Sequence, residues 1–135
     1  MLNRILLGIS LVFALTVHSF GQSSRDMTPV VCKNMSQEQI RDGIIDYLTG
    51  VLGAEIGYAS NTLIIAYTEE TTRHCTHVTY TLKFVLSENE YRYAAYYAIP
   101  LKDVNDACKE DIHKRIAFYN KKLKYIFLFQ DSKAP

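Results

Sequence analysis

The chain has no tryptophan, only three cysteines, no surplus of either charge, and no apolar run long enough to cross a bilayer. Each absence removes a class. Fifteen Lys and Arg against fourteen Asp and Glu give a formal charge of +1. Nucleic acids and anionic membranes need a large basic footprint, so neither is expected as the main partner. Three cysteines are too few for a disulfide-built scaffold. The one long apolar run, Ile5 to Val17, falls short of the roughly 20 residues that a spanning helix needs. There is no internal repeat, low-complexity tract or linker.

What the N-terminus does have is the three-part pattern of an export signal. Arg4 supplies the positive n-region, the run to Val17 the apolar core, and Ser19-Phe20-Gly21 a small-residue cleavage site. Residues 1–21 are therefore expected to be removed before Gln22, leaving an exported, periplasmic or secreted protein with no stable membrane anchor. Arg4 is the only charge lost, so the processed chain is formally neutral. Its length suits one domain. The expected divisions are an arm over 22–35, a single α+β domain over 36–130, and a frayed tail over 131–135.

Periodicity fills in that domain. Ser36 with Gln39 forms a capping-box pattern, and Ile40, Ile44, Ile45, Leu48, Val51 and Leu52 follow at helical spacing, ending near Gly50 and Gly53. Strands are read at Glu55–Ala59 and at 62–68, around a turn at Ser60-Asn61. A short strand is also expected near Cys32. From Val78 the chain alternates apolar with polar residues. A turn at Glu88-Asn89 sets Leu86 against Tyr91, Phe84 against Tyr93, Leu82 against Ala95, Tyr80 against Tyr97, and Val78 against Ile99. A one-residue slip would turn that whole stripe to water. After Pro100, Asp103 or Asp106 caps a second helix with Val104, Cys108, Ile112, Ile116, Tyr119 and Leu123 as its apolar face. Residues 125–129 read equally as helix or strand. The sum is a four-stranded antiparallel sheet in the order α-β-β-β-β-α, with both helices on one face and room for short strands at either end.

Ser36 to Pro100 carries a resemblance. The capped helix, the hairpin around Thr62–Tyr67, Tyr80-Thr81-Leu82-Lys83-Phe84 and Glu90-Tyr91-Arg92-Tyr93 resemble a family of exported bacterial domains of unknown function with a TATA-binding-protein-like fold. Members tend to have Asp-Gly in the turn where this chain has Glu88-Asn89. The resemblance implies a fold and a compartment, and it implies no chemistry.

Four groups of residues invite a functional reading. Thr79, Thr81, Arg92 and Tyr96, with Lys83, share the sheet face away from the helices, and could bind a protein, a peptide or a glycan. His74, Cys75 and His77, with His113 later, hold metal-ligand chemistry but match no zinc spacing. They frame the alternative, a small secreted hydrolase or metal-dependent enzyme. Cys75 and Cys108 are expected in one corner of the fold and suit a disulfide, with Cys32 pairing to either as the alternative. Lys109, Lys114, Arg115, Lys121, Lys122 and Lys124 read as a solvated helix face, interrupted by Glu110 and Asp111. No residues are assigned to a catalytic centre, a resident metal or a cofactor. The favoured reading is a non-enzymatic binding or structural module.

Overall fold

The computed structural model describes residues 17–22, 27 and 29–128, so the tail expected to fray and the bulk of the export signal lie outside the described residues. In chain order the elements are β1 (Val17–Gln22), β2 (Val30–Val31), α1 (Gln37–Gly50), β3 (Glu55–Ala59), β4 (Leu63–Glu70), β5 (Val78–Ser87), β6 (Glu90–Pro100), a short 3-10 turn (Leu101–Asp103) and α2 (Asp106–Lys124). The fold is α+β, with two helices and an open antiparallel sheet in the spatial order β1-β6-β5-β4-β3, and β2 also on the β6 edge.

The hairpin takes the register that the alternation predicts. Leu86 faces Tyr91, Phe84 faces Tyr93, Leu82 faces Ala95, and Tyr80 faces Tyr97. Asn89 holds the left-handed backbone of the two-residue turn, with φ of 62°, a conformation asparagine tolerates. Along β5 every second residue from Val78 to Leu86 is buried. These side chains meet Ile40, Ile44 and Leu48 of α1 and Cys108, Ile112, Ile116, Tyr119 and Leu123 of α2 in one core.

Helix α1 opens on a full capping box: the Gln39 N–H donates to the Ser36 hydroxyl, and the Ser36 N–H donates to the Gln39 carboxamide. Val51, expected on its apolar stripe, stands beyond the last turn and is exposed. Gly53, at φ of 66°, turns the chain into β3.

The four expected strands are β3 to β6, paired in chain order; the short strand expected near Cys32 is β2, and β1 adds to the β6 edge. β1 spans residues on both sides of the expected cut before Gln22. Three other expectations change. Neither Asp103 nor Asp106 caps α2; Asn105 does, accepting from the Cys108 N–H, because it alone has extended backbone one residue before the helix. Val104 therefore precedes the helix and stays half in water. Finally, 125–128 are neither strand nor a continued α2. The chain turns there so that Ile126 and Phe127 fold back into the core, Phe127 against Tyr91.

Tyrosine hydroxyls tie α2 to the sheet. Tyr91 donates to the Leu123 carbonyl and Tyr93 to the Asn120 carbonyl, while Tyr119 pairs with Thr68. Burial pushes the hydroxyls of Tyr80, Tyr91 and Tyr119 up from their ordinary value, so they remain protonated. Arg115, from the expected basic face, lies instead on the Glu70 carboxylate through three hydrogen bonds of 2.6–3.2 Å. The other five lysines of that stretch are exposed.

Candidate functional site

Strand alternation that fills the core on one side leaves a second set of residues on the other. Reading the register across β4, β5 and β6, the rows are Leu63–Val85–Arg92, Ile65–Lys83–Ala94, Tyr67–Thr81–Tyr96, and Glu69–Thr79–Ala98. β3 adds Tyr58 beside Ile65 and Glu55 beside Tyr67. All four residues singled out from the sequence, Thr79, Thr81, Arg92 and Tyr96, fall on this face. None of them is fully buried.

The face is more apolar than β5 and β6 alone suggest. Tyr58 is 54% exposed, Tyr67 40% and Val85 37%, and Leu63, Ile65 and Tyr96 are part-exposed. These positions on β3 and β4 escaped the sequence reading. A signal was present: Leu63-Ile64-Ile65-Ala66-Tyr67 is apolar at both parities, unlike the alternation of β5, which argues for an apolar surface on both sides of that strand.

Local structure fixes Tyr67. The β3–β4 register shifts between Ile56 and Tyr58, which makes Gly57 the bulged residue. A β-carbon there would overlap the Tyr67 ring. Glycine thus lets the ring lie against the β3 backbone.

Charges on the face are sparse and mixed. Arg92 approaches the Glu90 carboxylate of the same strand at 3.7 Å, with its side chain 47% exposed, so the pair adds little stability and leaves the guanidinium able to meet a partner. At the far end the Thr79 hydroxyl and a ring nitrogen of His77 are 3.3 Å apart.

The histidine–cysteine cluster is a different object from the one its sequence suggests. Cys75 is 1% exposed and Cys108 wholly buried, and their sulfurs stand at disulfide distance, 2.10 Å, with α-carbons 5.0 Å apart. β5 begins only at Val78, and residues 71–77 before it form a hydrogen-bonded loop. In that loop the Thr72 hydroxyl accepts from the His74 and Cys75 N–H groups and donates to the Asp111 carboxylate at 2.7 Å. His74, His77 and His113 are exposed, and among the described residues no three His, Cys, Asp or Glu groups are arranged to hold a metal ion. A sulfur held in a bridge supplies neither a thiolate ligand nor a nucleophile.

Asp103 takes a role not expected of it. Only 3% exposed, it accepts from the Thr76 N–H at 2.9 Å, the His77 N–H at 3.1 Å and the Thr76 hydroxyl. Burial by itself raises its pKa. The Thr76 and His77 N–H groups, the Thr76 hydroxyl and the nearby Lys102 outweigh that and hold the carboxyl below its ordinary 3.8. A depressed folded pKa stabilises the fold above the ordinary value, and the gain is lost as the pH falls through the folded one. Asp103→Asn is therefore expected to cost about 1–3 kcal/mol near neutrality, through lost charge-assisted bonds. Urea midpoints of the two proteins should draw together below pH 3.8. A gap of constant size across the acid range would show that the charge contributes nothing.

Comparison with known proteins finds no family model, no curated protein and no solved structure that matches this chain.

Proposed function

We propose that this chain is an exported domain that binds another protein or peptide through the uncovered sheet face, without catalysis. One observation carries this reading. Tyr58, Ile65, Tyr67 and Tyr96 stand on neighbouring strands, on the face opposite the one where α1 and α2 pack. A sheet needs only one face covered to fold, so a second face rich in tyrosine and aliphatic groups, with Lys83 and Arg92 among them, adds nothing to the core. Tyrosine and arginine are the residues that dominate binding energy at protein interfaces. Leu63, Ile65 and Val85 favour a polypeptide over a glycan, because branched aliphatic groups match apolar side chains better than sugar hydroxyls.

The alternative enzyme built on His74, Cys75 and His77 finds no support. Cys75 is bridged, and among the described residues no group of three His, Cys, Asp or Glu converges with the two exposed histidines.

Photo-crosslinking tests the binding reading. A photoreactive residue at Thr81, in the full chain expressed in its own cells, is expected to give a discrete protein adduct. The same residue at Glu110, on the outer side of α2, should not. Adding Tyr67→Asp should abolish the Thr81 adduct, while an unchanged melting curve shows the fold intact. Equal adducts from both positions, or an adduct that survives Tyr67→Asp, would overturn the reading.

A further inference from the structure

β6 runs eleven residues, and its outer side is filled by two separate pieces of the same chain. Val30 and Val31 lie opposite Tyr91 and Glu90. Farther along, β1 lies antiparallel to the end of β6, with Ser19 opposite Ile99, Phe20 opposite Ala98, Gly21 opposite Tyr97 and Gln22 opposite Tyr96. β1 is also the end of the segment that reads as an export signal. A chain cut between Gly21 and Gln22 keeps β2 and loses all of β1 but its last residue. Gln22, opposite Tyr96, then becomes the first residue. The outward backbone groups of Tyr97, Ala98 and Ile99 lose the strand that pairs with them. A row of unpaired N–H and C=O groups on a rigid sheet is a template for strand addition.

We propose that in the processed protein this stretch of β6 accepts, antiparallel, an extended segment of another polypeptide that resembles the segment removed. The proposal rests on the export reading and deepens the binding reading by naming the ligand's form. The register names its pattern. Directly opposed residues on antiparallel strands share a face. Ile99 is fully buried and Tyr97 packs against the core, so the opposing positions lie on the helix-covered side. In this chain those two positions are Ser19 and Gly21, both small. The position opposite Ala98 lies on the other face, where Tyr96 is the preceding β6 residue. There the chain has Phe20. An aromatic residue in that position has the Tyr96 ring as its diagonal neighbour across the pair, while the covered side, where Ile99 is fully buried, suits small residues. The ligand is thus an extended segment with an aromatic residue between two small ones and without proline, which cannot donate to the ladder.

The test uses the processed protein beginning at Gln22, and as probe the synthetic hexapeptide of Val17–Gln22 with blocked ends. Hydrogen exchange at the amides of Tyr96–Ile99 that point away from β5 is read with and without peptide. Saturating peptide is expected to slow those amides at least tenfold. A peptide carrying Phe20→Asp or Gly21→Ile should bind at least tenfold more weakly. Three results would each overturn the proposal: an intact mass showing that the exported protein retains Val17–Gln22, protection of these amides before peptide is added, or no protection after it. Tyr67→Asp, two strands away on β4, should leave the peptide response unchanged, so loss of the sheet-face adduct and loss of edge binding are separate outcomes.

Discussion

Phe84→Ala is expected to destabilise the domain by about 3–5 kcal/mol, because a fully buried phenyl ring leaves a cavity that its neighbours only partly fill. Phe84 is wholly shielded in the core, with Tyr91 next to it at a ring-centroid distance of 6.1 Å. Thr81, on the other face of the same strand, is part-exposed, and Thr81→Ala should cost less than about 0.5 kcal/mol. Tyr93→Ala belongs between them. Tyr93 faces Phe84 and donates to the Asn120 carbonyl, yet it is only partly buried, so less surface is lost than at Phe84. Urea unfolding of the three variants checks the order. Equal losses at Phe84 and Thr81 would mean that the two faces had been exchanged.

The second large effect belongs to the Cys75–Cys108 pair. The bridge joins positions 33 apart in sequence and restricts the unfolded chain, an effect of about 2–4 kcal/mol for a loop of this kind. Reduction, or the double change Cys75→Ala with Cys108→Ala, is expected to lower stability by that amount and to move the urea midpoint while leaving the slope nearly unchanged. Because both sulfurs are buried, the native protein should resist alkylation at Cys75 until it is reduced. A peptide map of unreduced protein that finds Cys75 alkylated would end this reading. Melting curves that coincide with and without reductant would show that the bridge adds no stability.

Much of this fold was legible because its signals were local and mutually consistent. The alternation of β5 and that of β6 agreed on one turn, Glu88-Asn89, and each would have been ruined by a slip of one residue. Ser36 with Gln39 marked the start of α1 just as clearly. The start of α2 was misjudged because Asn105, Asp103 and Asp106 all carry side chains that can cap, and only the backbone after Pro100 decides among them. Asp103 was then free to bind the Thr76 and His77 amides, a contact across 26 and 27 positions that no local pattern announces. Chain fold-back explains Ile126 and Phe127 as well: an apolar run without period says that it will be buried, and nothing about its path. Half of the candidate site was visible. Thr79, Thr81, Arg92 and Tyr96 follow from parity alone. Tyr58, Leu63, Ile65 and Tyr67 needed the β3–β4 register, and the bulge at Gly57 shifts that register midway along the pair.

That bulge bears on how copies of this protein meet. Head-to-tail growth into a filament needs two compatible sheet edges on each molecule, one to offer a strand and one to receive it. The β6 strand is eleven residues long. β3 is five residues long and broken in register at Gly57, where the Tyr67 ring lies against its backbone. It cannot present an even row of donors and acceptors to a neighbour. The two edges of this sheet are therefore unlike, and head-to-tail pairing of copies through them lacks a matching second edge.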